Sequence, residues 1–239
     1  MNIAVIFAGG KGERMNIRSL PKQFLEYRDK PIIIYTLELF DRHPQIDCIV
    51  VACIKEWIPY LQQIVRKFEI KKVSGIVPGG ETGQDSIYNG LSEAKRISHD
   101  ENDIVLIHDG VRPLITGQTI TDNIVRVKEA GSCITCSPTT ETFLVSHDGG
   151  ELEIPSRKDS LVARAPQSFF LKDVLSAHET AMREGCHDYI DTCTMMHHYG
   201  FKLSTVIGPS ENIKITTPFD FYIFKAIMEA KETGRIFGI

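Results

Sequence analysis

Ile3-Ala4-Val5-Ile6-Phe7-Ala8 runs directly into Gly9-Gly10-Lys11-Gly12-Glu13-Arg14-Met15, and this junction decides the fold. An apolar run without polar alternation is the pattern of a strand covered on both faces. A glycine-rich turn at its carboxyl end leaves backbone N–H groups open to a close anionic ligand. Outward from this strand, helical and buried-strand patterns alternate. Pro31–Phe40 has helical length and Cys48–Cys53 is a second buried strand. After Trp57, read as a packing residue, Ile58, Leu61, Ile64, Val65 and Phe68 recur at helical spacing. Ser74–Val77, Ser86–Arg96 and Ile104–Ile107 continue as strand, helix and strand, and a helix over Thr119–Glu129 stops at Gly131. Such alternation implies parallel β-α-β crossovers, hence an α/β, Rossmann-like, doubly wound and mostly parallel sheet.

The rhythm breaks after Ser137. Thr139–Pro155 is rich in Thr, Gly and Asp with short β-prone pieces, which reads as a hairpin or β-arm, spanning about 138–165. Helical patterns return at Lys172–Glu184 and Asp191–Tyr199, followed by strands at Leu203–Ile207 and Asn212–Thr216. Thr217 as N-cap and Pro218 at the first helical position open a last helix to about Lys231, with Asp220 favouring its positive end. No internal repeat or linker divides the chain, so residues 1–239 are expected to form one domain with an excursion.

The 239 residues are 42% hydrophobic and 24% charged, with a net charge of −4 and Gly and Pro dispersed. That composition excludes disordered, collagen-like and coiled-coil chains. Apolar runs are too short to cross a bilayer and no charged-then-apolar leader precedes the first strand, so a soluble cytoplasmic protein without membrane partners is expected. Mild acidity gives no support to nucleic-acid binding, and any anion site must be local. The six cysteines do not form a disulfide framework at this length. Cys133 and Cys136, three apart on a strand, face opposite ways and would chelate a metal poorly. His178, His187, His197 and His198 have no matching ligand cluster.

In open α/β sheets ligands sit beyond the carboxyl ends of the strands, which selects three turns. The first carries Lys11, Arg14 and, shortly after, Lys22. It is not a Walker A loop, because no Gly-Lys-Ser/Thr closes the turn, nor a dinucleotide fingerprint, because Met15 stands where the third glycine belongs. The second, Gly79-Gly80-Glu81-Thr82-Gly83-Gln84-Asp85-Ser86, offers glycines, polar caps and a helix N-terminus. The third is His108-Asp109-Gly110-Val111-Arg112-Pro113, where Asp109 is either a divalent-cation ligand or half of an Asp–Arg clamp. Late in the chain, Asn212-Ile213-Lys214-Ile215-Thr216 points Lys214 opposite to Ile213 and Ile215.

Together with Pro21-Lys22-Gln23-Phe24, Pro166-Gln167 and Thr217-Pro218, these motifs resemble the cytidylyltransferases that make CDP-activated polyol phosphates, the methylerythritol-phosphate and ribitol-5-phosphate enzymes. They fall in family order over nearly the whole chain. The resemblance implies attack of a substrate phosphate on the α-phosphorus of CTP with loss of pyrophosphate. Arg14, Lys22 and Lys214 would hold the triphosphate and its transition state. Ala8, Gly9, Gly10, Lys11, Gly12, Gly80, Glu81, Ser86 and Asp109 would bind the nucleotide, and Mg²⁺ would bridge phosphate oxygens near Asp109. Arg112, Thr142, Arg157 and Asp191 would bind the polyol phosphate. In the family the arm forms a homodimer and delivers residues to the neighbour's pocket.

The sequence departs from the family at Ala165 and Ile190, where Thr is usual, and at Gly83, where Arg is frequent. Leu20, Trp57 and Val111 match the ribitol-phosphate branch, which makes D-ribitol 5-phosphate the favoured acceptor and 2-C-methyl-D-erythritol 4-phosphate the alternative. A non-catalytic nucleotide-binding protein is the reading from another class, and the presence of Arg14, Lys22, Asp109 and Lys214 argues against it. A dinucleotide oxidoreductase would need an acid after the second strand, where Ala52-Cys53-Ile54-Lys55 stands.

Overall fold

The structure, a computed structural model, describes residues 1–10, 20–100 and 102–237. The apolar first segment forms β1 (Asn2–Ala8) in the middle of a seven-stranded sheet. The chain then builds outward through α1 (Ile32–Asp41), β4 (Cys48–Cys53), α2 (Ile58–Lys67) and β5 (Val73–Pro78). Two short strands, β2 (Glu26–Tyr27) and β3 (Lys30–Pro31), pair with each other just before α1. Next, α3 (Gly83–Ile97) carries the chain back across to β6 (Ile104–Asp109), which pairs with β1 on its other side. The winding therefore reverses between β1 and β6, and this switch point is where open sheets form a ligand crevice. The register aligns Ala8 with Cys53 and Cys53 with Pro78, and sets Phe7 beside Asp109, so four strands end along one rim.

Beyond β6, α4 (Gly117–Ala130) ends at Gly131, whose φ of 82° is the left-handed conformation expected of that glycine. β7 (Ser132–Pro138) follows, and the chain leaves the sheet at its carboxyl end. A small hairpin forms outside, β8 (Val145–Ser146) with β9 (Leu152–Glu153). The chain must re-enter from the same rim, so β10 (Leu161–Phe170) runs antiparallel between β6 and β7. The expected arm over 138–165 is thus shorter, because Leu161 to Ala165 already belong to the central sheet. α5 (Leu171–Arg183), α6 (Thr192–His198), β11 (Thr205–Ile207) and α7 (Pro218–Phe237) complete the order.

Helices cover both faces. α1, α2 and α4 pack Ile33, Leu37, Leu61 and Ile124 on one side, and α3, α5 and α6 pack Leu91, Val174 and Met195 on the other. Every residue of β4 and β6 is buried, as their unbroken apolar runs require. Cys133 lies against the first layer and Cys136 against the second, so the C-x-x-C pair faces opposite ways. Burial pushes the Cys133 thiol up to about 12, leaving it protonated and inert. Asn212–Thr216 is not a strand. It is an irregular segment tied to the turn after β6 by Ile215 N–H on Val111 O at 3.0 Å. The alternation of its side chains is nevertheless as expected, with Ile215 buried and Lys214 on the opposite side.

Candidate active site

The turns after β1 and β5 meet through backbone. A Cβ on Gly9 would stand 2.5 Å from Ser86 Oγ and 3.5 Å from Gly79 Cα, so only glycine permits this approach. Ser86, in the first turn of α3, accepts from Gly80 N–H at 3.0 Å and donates to Thr82 O at 2.9 Å. Thr82 and Asp85 form a reciprocal capping box. The remaining N–H groups at the start of α3, with its positive dipole end, face the same space.

Lys22 sits in a single 3₁₀ turn, Lys22–Phe24. Its neighbours fix it there. Gln23 is buried and donates from Nε2 to Ala8 O at 2.7 Å. Phe24 is fully buried and stacks on Trp57 at 5.0 Å between ring centroids. Burying such a ring contributes about 2–3 kcal/mol, so packing two residues away holds the lysine at the end of β1.

Asp109 ends β6 with its carboxylate almost wholly buried. Arg112 Nε lies 2.7 Å from Oδ2 and Lys214 Nζ 2.6 Å from Oδ1. Burial raises its pKa, but the two cations outweigh that and hold it well below the usual carboxylate range. Arg112 also donates to Asn212 O at 2.9 Å, and Asn212 donates to Ala165 O at 2.6 Å. One hydrogen-bonded chain therefore runs from β6 through the Asn212–Thr216 segment to β10. The Asp–Arg clamp foreseen for the third turn is present, with Lys214 as its second cation.

Two chambers meet at Asp109 and Lys214. The larger, about 1100 Å³, is lined by Ala8, Gly9, Gly10, Lys22, Gly80, Glu81 and Ser86, with Lys55 and Thr216 at its edges. The smaller, about 450 Å³, lies between α3, α6 and the start of β10 and is lined by Arg112, Arg164, Gln167, Tyr189 and Asp191. Asp191 caps α6 by accepting from Thr194 N–H at 2.9 Å and also accepts from Gln167 Nε2 at 3.2 Å. Burial raises its pKa, and these hydrogen bonds bring it below the ordinary value. Ile190 is 89% exposed at the mouth of this chamber.

Of the residues singled out from sequence, Ala8, Gly9, Gly10, Lys22, Gly80, Glu81, Ser86, Asp109 and Lys214 come together in the larger chamber, and Arg112 and Asp191 in the smaller. Lys11, Gly12 and Arg14 lie outside the described residues. Thr142 and Arg157 are on the exposed arm and line neither chamber of their own chain, although Arg157 Nη1 reaches Thr140 O at 3.4 Å. Sequence reasoning missed Lys55 and Arg164, which lay in segments read as strand end and arm. His178, set aside there for want of a ligand cluster, lines the smaller chamber. Among the described residues no group of three His, Cys, Asp or Glu side chains could hold a metal ion.

A family model described as IspD, 2-C-methyl-D-erythritol 4-phosphate cytidylyltransferase, matches residues 2–230. The chain belongs to this family. It is accordingly a nucleotidyltransferase of the cytidylyltransferase type. It is 51% identical over the full length of both chains to a ribitol-5-phosphate cytidylyltransferase of Vibrio parahaemolyticus. A 2-C-methyl-D-erythritol 4-phosphate cytidylyltransferase of Clostridium botulinum is 37% identical over 95% of this chain and 97% of its own. The crystal structure of the 4-diphosphocytidyl-2C-methyl-D-erythritol synthase of Anaerococcus prevotii superposes with a TM-score of 0.81 at 24% identity, covering 95% of this chain and 96% of that one. The two chains thus share one α/β fold.

Proposed function

We propose that this protein transfers the cytidylyl group of CTP to D-ribitol 5-phosphate, forming the CDP-polyol and pyrophosphate. The observation that carries this reading is the junction of the two chambers at Lys214 and Asp109. A triphosphate in the larger chamber would present its α-phosphorus there, and a phosphate monoester in the smaller would meet it. The new P–O bond forms as the α–β anhydride bond breaks, and pyrophosphate departs into the larger chamber.

Bringing two anions together is the main barrier, so the work is positioning and charge neutralisation. Two unit charges 4 Å apart interact by about 4 kcal/mol at an effective dielectric near 20. Lys22 would neutralise the triphosphate, Lys214 the reacting phosphoryl group, and Arg112 the acceptor. Asp109 keeps the last two cations aimed at the junction. Arg14 belongs to the same proposal through its position in the motif. No side-chain nucleophile is required. The carboxylate at the junction is already paired with two cations and suits a Mg²⁺ carried in by triphosphate oxygens as MgCTP, since Mg²⁺ keeps oxygen ligands from substrate and water. Asp109 would then stand beside the metal rather than build a site for it.

D-ribitol 5-phosphate is favoured by the full-length likeness to the Vibrio enzyme and by Leu20, Trp57 and Val111. 2-C-methyl-D-erythritol 4-phosphate is the competing acceptor. The arm is proposed to join two copies and to carry Thr142 and Arg157 to the neighbouring smaller chamber. Among the described residues no helix is long and apolar enough to cross a membrane, and a cytoplasmic location, where CTP is made, is part of the same proposal. The test is pyrophosphate formed from CTP and Mg²⁺ with each polyol phosphate in turn. A higher kcat/KM for ribitol 5-phosphate is expected, and preference for methylerythritol phosphate would reassign the acceptor.

A further inference from the structure

Arg164 enters the smaller chamber because β10 is antiparallel, which brings the start of that strand to the rim where its neighbours end. Its guanidinium is half-buried and anchored at one point, Nε donating to Ser137 Oγ at 3.2 Å. Among the described residues the two terminal amino groups have no protein acceptor, and neither is among the polar atoms sealed from solvent. A guanidinium fixed through Nε presents its outer amino groups as a fork, the geometry that matches two oxygens of one phosphate.

Three cations, Arg112, Arg164 and Lys214, and three carboxylates, Asp109, Asp188 and Asp191, line this chamber. Arg112 and Lys214 already share the single buried carboxylate of Asp109. The carboxylate of Asp191 is taken up by Thr194, Gln167 and the Cys193 thiol. Asp188 stands exposed at the rim. Arg112 is close enough for its positive charge, after burial, to lower the pKa of Arg164. Two guanidinium groups have thus been drawn to one concavity, and among the described residues no carboxylate pairs with that of Arg164. The adjoining Ala163 and Ala165 offer no side-chain hydroxyl, so the polarity of that wall comes from the guanidinium. A phosphate, which accepts from both amino groups of that fork, is the occupant that fits it.

We propose that Arg164, together with Arg112, binds the phosphate monoester of the acceptor, so that the chain supplies a phosphate ligand to its own smaller chamber from β10. This rests on the reading that the acceptor is a phosphate monoester. Arg164→Gln keeps polarity and loses the charged fork. It should raise the KM for ribitol 5-phosphate by roughly 10- to 100-fold, the loss of a bidentate charge-assisted pair. kcat at saturation and the KM for CTP should change less than about threefold, which also reports that the variant is folded. The inhibition constant of inorganic phosphate, competing with ribitol 5-phosphate, should rise by the same factor, and Arg164→Lys should recover part of the loss. An acceptor KM within twofold of wild type, or an unchanged phosphate inhibition constant, overturns the proposal. If the wild type forms no pyrophosphate with any polyol phosphate, the assigned reaction fails instead. Arg164 is then judged by calorimetry with inorganic phosphate in the presence of a non-hydrolysable CTP analogue. Weaker binding by Arg164→Gln supports it, whereas equal binding, or none by the wild type, overturns it.

Discussion

Lys22, proposed above as a catalytic cation, is placed by residues that have no chemistry of their own. Gln23 ties the turn to Ala8 and Phe24 drives it into the aromatic cluster with Trp57 and Tyr60, so the backbone that carries the lysine is fixed at the end of β1. A group positioned in advance acts mainly where charge develops. Lys22→Ala should therefore lower kcat by roughly 10²- to 10³-fold while the KM for CTP rises only a few-fold. Steady-state kinetics with both substrates would check this, and equal losses in kcat and CTP affinity would make Lys22 a ground-state ligand. Asp109 presents the opposite case, an anion needed because cations surround it. Asp109→Asn leaves Arg112 and Lys214 without their counter-charge and should cost about 3–5 kcal/mol of stability, since breaking a buried pair on one side strands the other. Urea unfolding would measure that. A loss below 1 kcal/mol would mean that solvent already shields the pair.

At the level of elements, the decisive contact is the one between two turns. Gly9 and Gly79 bring the ends of β1 and β5 together over Ser86, and a methyl group on Gly9 would meet Ser86 Oγ at 2.5 Å. That oxygen is held by Gly80 N–H and Thr82 O and cannot swing away freely. Gly9→Ala should thus spread the two turns and weaken CTP binding at least tenfold by the logic of sub-ångström misplacement. Ser86→Ala in the same chain should restore part of that loss by vacating the Oγ position. Calorimetric titration of CTP into both variants decides it, and no recovery in the double variant would place the damage elsewhere. The same scale explains what could be read beforehand. β1, β4 and β6 are buried on both faces, so their apolar runs announce them, and α4 is closed by a glycine whose conformation needs one. β10 was hidden. Leu161–Phe170 mixes Arg, Pro, Gln and Ser because Arg164 and Gln167 line a chamber and buried Ser168 bonds to Asn123, and such polar residues imitate a loop. Asn212–Thr216 alternates like a strand, yet its backbone bonds go to the turn after β6 and to no strand edge. Asp109, Lys214 and the glycines were legible because motif spacing survives in sequence. Arg164 was not, since its value comes from a strand reversal that the arm creates.

Taken as a whole, the molecule buries two imidazoles, His108 and His178, whose protonation folding opposes most strongly, with the partly buried His43 shifted in the same direction. His108 is buried between Phe40 and the turn after β6, and His178 is buried on α5 with neither ring nitrogen bonded among the described residues. Burial lowers both from the ordinary value near 6.5 to about 4. The unfolded chain therefore binds more protons between pH 6.5 and pH 4, and stability falls as pH drops through that window while remaining complete above 6.5. Each histidine should contribute a slope of about 1.4 kcal/mol per pH unit there. Urea titrations at several pH values would show it, and His178→Leu should flatten the slope by one proton; an unchanged slope would mean that His178 titrates normally in the folded chain. The arm raises a larger question of assembly. Phe143, Leu144, Leu152 and Ile154 are exposed on it, and Arg157 lines neither chamber of its own chain. If the arm serves a second copy in a two-fold dimer, each active site combines one body with the other chain's arm. Arg157→Ala and Lys22→Ala chains would each be nearly inactive alone, one through a raised acceptor KM and the other through kcat. Co-expressed in equal amounts they should recover about a quarter of wild-type activity at sub-saturating acceptor, because half the dimers are mixed and each mixed dimer has one intact site. Recovery requires only that Arg157 acts across the interface. Mixed dimers isolated by two affinity tags and showing no more activity than their parents would confine Arg157 to its own chain or remove it from the reaction.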